Sequence, residues 1–494
     1  MNIKPLRILI DPAVKAEHAA EVAWSWRQLL SLIGLPWTEV SLDQPCDVAY
    51  VSNQTASRRD TATTTASFLI HATPERWEAP TDLRLARVET DPTPYLVKYI
   101  DEPTTGEAPL HRDGVIHLYR DVIFDFFWLL TGQEEKHWPQ NDHGFFTLPD
   151  HWLDHRILEQ ASASTLVDVL SGLLSSVAEG DPLPKWPNGK RAAAAITHDV
   201  DYPEVIRWLE PLRIFSRQRQ QGLGPAWQVL TGQRDHWAFP DWMAFEKHYG
   251  IRSAFYFTAE KGSLLKYAQG TPNPFYDVST PKFQRLFHEL SDGGWEVGMH
   301  ASYLAHTSHE SFLSEKQRLE EAAGFPVVGN RHHYWHVDPT APEETLMLHA
   351  EVGLKYDSSL AHDLYVGWRR HLNLPFFPYA PHHRREIGVV QLPVAWMDAQ
   401  LTQHTHMSQP KRESTVRTLV DRVAEQGGIF VADVHEYVYD EVLFPGWLAT
   451  LRAAVERIVD RSDFWVATPA EISQHWWQRY EQILSVSTGL REGL

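Results

Sequence analysis

Cysteine is nearly absent from this chain: Cys46 is the only one among 494 residues. No intramolecular disulfide can form, and a thiolate-based metal site is excluded. Long apolar runs are missing as well. The most apolar stretch, Leu118 to Leu130, carries Arg120, Asp121 and Asp125, and no segment approaches the roughly 18 uncharged residues that mark a membrane span. The first residues, MNIKPLRIL, enter a strand-like segment ending at Asp11-Pro12. They lack the apolar core and small-residue cleavage site of a signal peptide, so the expected location is the cytoplasm. Positive charge is short: 45 Lys and Arg against 64 Asp and Glu leave a net −19, which argues against a nucleic-acid partner. No G-x-x-x-x-G-K-[ST], G-x-G-x-x-G or G-x-S-x-G occurs, and His309-Glu310 lacks the second His of a zincin. Phosphate-cradling loops, dinucleotide fingerprints and a serine nucleophile elbow are therefore not indicated.

What the chain does have is enough apolar material for two or three cores. Apolar residues make up 43% and charged residues 22% of the sequence, and 20 Trp, 17 Tyr and 21 Phe are present. Length and composition are those of a multidomain globular protein. Part of the Trp and Tyr content suits sugar rings, which meet flat apolar faces with polar edges. Residues 1–150 are expected to form an N-terminal α/β domain, with strands at 6–10 and 48–52, a helix over about 15–34 ending at Gly34, and an aromatic helix over 115–131. No catalytic residue is expected there. Residues 151–184 read as a helical connector, with a helix from about 155 to 179, and a Pro-rich linker.

From 185 to 494 the pattern changes. Short apolar runs at 192–197, 253–258, 295–299, 327–331, 388–394, 428–434 and 464–467 alternate with helical periodicity at 280–291, 308–323, 342–352, 411–426 and 447–460. Such alternation implies βα units and a parallel sheet. The expected fold class is α/β: a distorted (β/α) barrel preceded by the N-terminal α/β domain.

Ionisable residues cluster just beyond the apolar runs, where barrel enzymes place their chemistry. Thr197-His198-Asp199-Val200-Asp201 follows AAAAIT; Met299-His300-Ala301-Ser302-Tyr303 ends WEVGM; Asn330-Arg331-His332-His333-Tyr334-Trp335-His336 is the densest imidazole cluster. Leu392 to Asp398 and Val431 to Tyr437 add Asp398 and His435. Each alone also reads as a helix cap or a satisfied structural group. Together, five successive strand ends carrying Asp/Asp, His, Arg/His, Asp and His point to a divalent metal in an open hydrolytic site. Zinc is the first choice of ion, with cobalt, iron, manganese and nickel as alternatives.

The order and spacing of these motifs resemble the polysaccharide deacetylase family (NodB homology, carbohydrate esterase family 4). The similarity is closest to a bacterial subgroup with an extra N-terminal domain, in which FDFFWLLTGQEE (Phe124 to Glu135), WEVGMHASY and NRHHYW recur in recognisable form. The resemblance covers residues 190–440 well and the region before 115 loosely. It implies a hydrolase acting on a C–N bond, removing an N-acyl group from an amino sugar or glycan by metal-activated water. Carried residue by residue, it makes Asp199 the base, Asp201 and His300 metal ligands, and Arg331 the residue that orients the base. Tyr334 matches the Tyr of the Arg motif, with His333 in place of its Pro. Asp398 matches the Asp of the fourth motif, and His435 the late general acid. Tyr334, Trp335, Trp396 and Asp398 are the expected substrate-side residues.

One position departs from the family. The second metal His, four residues after the first, is Leu304 here. His306 lies six residues on, about 240° around an ideal helix and on the wrong face. His333 is therefore taken as the third ligand, with His306 as the alternative. Two further readings stay open: an amidohydrolase acting on a non-sugar C–N bond, and an inactive glycan-binding or partner-binding protein.

Overall fold

The computed structural model describes residues 4–57, 60–78, 85–88, 97–99, 109–141, 144–154, 156–403 and 407–487. The chain divides into two compact units. One comprises Met1–Gly189, Gly367–Gln391 and Gln474–Leu494; the other comprises Lys190–Val366 and Leu392–Ser473.

The first unit is built on a six-stranded sheet in the order Trp37–Val40, Leu6–Ile10, Val48–Ser52, Phe68–Ala72, Val115–Leu118, Leu110–Arg112, parallel except for the last pair. Helix Pro12–Ile33 follows the first strand because Asp11 caps it, accepting the Ala13 N–H at 2.9 Å, and Pro12 presets the first helical turn. Gly34 ends it at φ 99°, a conformation that costs glycine little. The segment expected as one helix over 115–131 is two elements. Val115–Leu118 pairs into the sheet, and helix Val122–Leu130 begins only after Asp121, whose carboxylate accepts the Phe124 N–H at 3.0 Å. That helix is buried on every side rather than amphipathic. The helix expected over about 155–179 is likewise interrupted: Ala161, at φ 48°, separates Ile157–Gln160 from Ser162–Ser175.

The second unit carries eight parallel strands: β1 (Ala192–Val200), β2 (Ala254–Phe257), β3 (Glu296–Ala301), β4 (Gly329–His332), β5 (Tyr356–Asp357), β6 (Val394–Met397), β7 (Ile429–Asp433) and β8 (Phe464–Val466). They curl into a half-barrel in the order β5-β4-β3-β2-β1-β7-β6, with β8 on the first residues of β1. The expected distorted (β/α) barrel is thus present. The strand expected over 388–394 is broken at Pro393, which has no N–H to give a ladder, so Val390–Gln391 and Val394–Met397 are separate pieces. Every residue of β1 is buried. On β2, Phe255 and Phe257 form an aromatic layer with Phe239, Phe283 and Phe287, and Phe255 stacks on His198 of β1; each ring contributes about 1.5–3 kcal/mol on burial.

Two strand glycines have a specific use. A side chain at Gly298 or Gly329 would collide with the rings of Tyr256 and Tyr356. These two tyrosines share a hydrogen bond of 2.9 Å between hydroxyls, and the Tyr256 ring lies 4.7 Å beneath the Arg331 guanidinium. The glycines on β3 and β4 therefore make room for a support that ends under the buried arginine.

Candidate functional site

The site is assembled at the C-terminal mouth of the half-barrel by strand alternation. Thr197, Asp199 and Asp201 fall on one face at the end of β1. His198, between them, faces the other way, where Glu246 meets its Nε2 at 2.9 Å, Phe255 stacks on its ring and Trp242 lies tilted against it. The same alternation splits the histidine cluster after β4. His332 turns away to His349, 2.8 Å between Nε2 atoms, and His349 in turn faces Asp357 at 3.2 Å. His333 turns into the mouth. His336 meets the Tyr303 carbonyl at 2.6 Å. Tyr334 and Trp335 adopt left-handed backbone, φ 58° and 48°, a conformation costing about 1–3 kcal/mol at each non-glycine residue. It reverses the chain just where His333 enters the site.

Three side chains converge there. His300 Nε2 lies 3.2 Å from Asp201 Oδ1, and His333 Nε2 lies 3.4 Å from Asp201 Oδ2. Their ligand atoms all fall within 4.8 Å of one another, the one such Asp/Glu/His/Cys group among the described residues. His300 Nδ1 sits 2.8 Å from the Arg331 carbonyl. An N–H donated there leaves the Nε2 lone pair aimed at the carboxylate. Asp201 Oδ1 is buried and accepts no hydrogen bond. One carboxylate and two imidazoles meeting at a common point are a ligand set for a divalent cation. His306 is not in this group. Its ring lies 4.5 Å from that of His336, and Leu304 is exposed.

Around the triad sit two polar pairs. Arg331, wholly buried, donates from Nη1 to Asp199 Oδ1 at 2.9 Å and to Thr197 Oγ1 at 2.7 Å, and faces Asp433 Oδ1 at 3.0 Å. On its far side Nη2 donates to Ser358 Oγ at 3.2 Å. His435 meets Asp398 twice: its backbone N–H donates to Oδ2 at 2.7 Å, and its Nδ1 lies 3.1 Å from Oδ1. Its Nε2 is left facing Asp201 at 3.4 Å.

Burial opposes the charge of Asp433, Glu436 and Asp201 alike, and the neighbours decide which give way. Asp433 rises to about 8 through burial and the nearby Asp199, which outweigh Arg331. Glu436 also rises to about 8, through burial and Asp201. Asp201 moves the opposite way: burial opposes its charge, yet His333, His300 and His435 hold it well below the usual carboxylate range. Burial works against a charged His435, but Tyr437, Asp398 and Asp201 hold it well above its ordinary value.

All ten residues singled out in the sequence lie in the second unit. The structure brings Asp199, Asp201, His300, Arg331, His333, Asp398 and His435 together. Trp396 is 0% and Trp335 4% exposed, so both are packing groups rather than open walls for a sugar. Tyr334, 45% exposed, is the aromatic of that set with accessible surface. Glu436 went unassigned in the sequence. It accepts the Asp201 and Tyr202 N–H groups at 2.9 and 2.8 Å and so fixes the backbone that presents Asp201. Its place directly after His435 was the available signal. Beside Asp201 opens a cavity of about 170 Å³, lined by Tyr202, Arg213, His236, Tyr437, Phe444 and Trp447 among others.

No protein-family model and no curated protein matches the chain. Solved structures similar to it include a Mycobacterium smegmatis protein assigned as a polysaccharide deacetylase (20% identity, 60% of this chain and 93% of that one, TM-score 0.40). Puue allantoinase is similar at 16% identity, over 61% and 95% of the two chains, with a TM-score of 0.40. A Pseudomonas aeruginosa PAO1 protein assigned as a polysaccharide deacetylase is similar at 15%, over 60% and 95%, with a TM-score of 0.39.

Proposed function

We propose that this chain is a metal-dependent hydrolase that removes an N-acyl group, acetyl in the first instance, from an amino sugar or glycan. The observation that carries the reading is the Asp201–His300–His333 cluster flanked by two separate proton-handling pairs, Arg331–Asp199 and Asp398–His435. A divalent ion held by the three ligands would supply the Lewis acidity that activates water and polarises an acyl carbonyl.

The remaining chemistry belongs to the chain's own residues. Asp199 is held at one oxygen by Arg331, and its other oxygen lies 3.7 Å from His300 Nε2. It is placed to accept the proton of the attacking water. Arg331 holds it in orientation through that hydrogen bond. His435, kept protonated by its anionic neighbours, delivers a proton to the departing nitrogen as the C–N bond breaks. Asp398 fixes the ring so that Nε2 faces the reacting centre. The sugar identity of the substrate rests on the motif resemblance and on Tyr334 at the mouth, whose exposed ring face suits a pyranose.

The test is acetate release from N-acetylated amino-sugar oligomers by zinc-reconstituted protein, compared with release of ammonia or acid from cyclic amides and ureides. Chelator-sensitive acetate release supports the proposal. Turnover of the non-sugar substrates alone would reassign the chain to amidohydrolases. Activity on neither class by protein with full metal content would overturn the enzymatic reading.

A further inference from the structure

The chain leaves β1 at the mouth and runs directly into a helical hairpin, helices Glu210–Gln218 and Leu223–Leu230, which pack against each other. Its inner side is ordinary: Ile214, Ala226 and Val229 are buried. Its outer side is not. Trp208, Leu212 and Phe215 stand at i, i+4 and i+7 along the first helix and the turn before it, and Leu223, Trp227 and Leu230 repeat the spacing on the second. All six are exposed, Trp208 and Trp227 to 63%. A helix that only meets water carries polar residues on that side. Two adjacent rows of large apolar side chains mark a surface that something covers.

The charge says what. The chain has a net −19, yet from Pro211 to Arg234 it contains no Asp or Glu and four Arg; Arg213 and Arg234 are paired with Glu210 and Asp440, which leaves Arg217 and Arg219 as the remaining positive charge of the stretch's sequence. Glu210, the last acid before this stretch, is buried and paired with Arg213 at 3.6 Å. A second copy docking through this face would set arginines against arginines, which disfavours that occupant. Trp, Phe and Leu interleaved with Arg on surface helices is the composition of a segment lying in the plane of a lipid interface. A second insertion at the same mouth, after β2, carries Leu264, Leu265 and Tyr267 exposed on a short helix, with Lys261 nearby in sequence and Lys266 paired with Glu260 at 2.7 Å.

We propose that the hairpin docks the protein peripherally on an anionic lipid surface, with the half-barrel mouth held beside the bilayer. This does not depend on the hydrolase reading. It requires no spanning helix, and among the described residues none is long and apolar enough to cross a membrane.

The experiment is co-sedimentation of the full chain with phosphatidylcholine vesicles and with vesicles containing phosphatidylglycerol, at low and high salt. Wild type is expected to sediment with the anionic vesicles, weakly with neutral ones, and less at high salt. The variant L212Q/F215Q/W227Q should bind the anionic vesicles at least about tenfold more weakly while keeping the wild-type melting temperature, since all three side chains are exposed. A second variant, R217Q/R219Q, checks the charge contribution with the apolar rows intact, and should lose anionic preference but not neutral-vesicle binding. Equal sedimentation on neutral and anionic vesicles, or undiminished binding by the triple variant, overturns the proposal. So does a wild type that ignores vesicles but is dimeric by light scattering and becomes monomeric in the triple variant, which would assign the face to a second copy.

Discussion

Each unit has a mainly parallel sheet, and in each an aspartate follows the C-terminal end of a strand. Asp11 follows the strand Leu6–Ile10 in the first unit; Asp201 follows β1 in the second. Asp11 meets donors already in place: the Ala13 N–H at 2.9 Å on one oxygen, and the Ser52 N–H and hydroxyl at 2.9 and 2.7 Å on the other. Burial opposes its charge, and those Ser52 and Ala13 contacts hold it below the usual carboxylate range. Asp201 is also held below that range, but by imidazoles, and one of its oxygens receives no hydrogen bond. A strand-end acid therefore marks a functional centre only where backbone and hydroxyl donors do not already settle it. Two other buried acids of the first unit are likewise paired: Glu135 with Arg369 at 3.1 Å and Asp125 with Arg120.

Substitutions should separate the two environments. The largest effect is expected at Asp199→Asn, with turnover falling by roughly 10²–10⁴-fold and metal content unchanged. Parallel kinetics and elemental analysis check it, and metal loss equal to that of Asp201→Asn would show that the roles of the two carboxylates are reversed. His435→Ala should cost about 10²-fold or more. Because His435 is held above its ordinary value and acts protonated, the wild-type rate should decline as pH rises through its pKa; the variant's rate–pH profile should lose that alkaline limb.

In the first unit the readout shifts to stability alone. Glu135→Gln leaves Arg369 and Arg370 buried beside a neutral group and should cost about 3–5 kcal/mol in urea denaturation, with metal content untouched. Asp11→Ala should cost about 1–2 kcal/mol through the lost cap, again without touching the metal. A loss of metal in either variant would break the contrast between the units.

Much of the second unit was legible because its signals are local. The period-2 reading of THDVD placed Asp199 and Asp201 on one face, and apolar runs ending in His300, Arg331 and His435 located the mouth. What was not legible depends on tertiary context. Nothing in NRHHYW says that His332 turns to His349 while His333 turns to Asp201; that follows from alternation along β4 and the reversed backbone at Tyr334. Trp335 and Trp396 are as apolar in sequence as a sugar platform would be, and only burial tells them apart from Tyr334. Nor does any periodicity announce that residues 367–391 and 474–494 return to the first unit, since Trp24, for example, donates to the Phe377 carbonyl across 353 positions of sequence.

The central claim is that Asp201, His300 and His333 form a cation site while Asp11 is only a cap. Elemental analysis after zinc reconstitution and desalting tests it most directly, on wild type, Asp201→Asn, His333→Ala and Asp11→Asn compared at equal protein concentration. Wild type and Asp11→Asn are predicted to retain about one zinc per chain, the occupancy of a single mononuclear site, and Asp201→Asn and His333→Ala to lose it. Wild type without stoichiometric metal, or Asp201→Asn retaining it, would contradict the account.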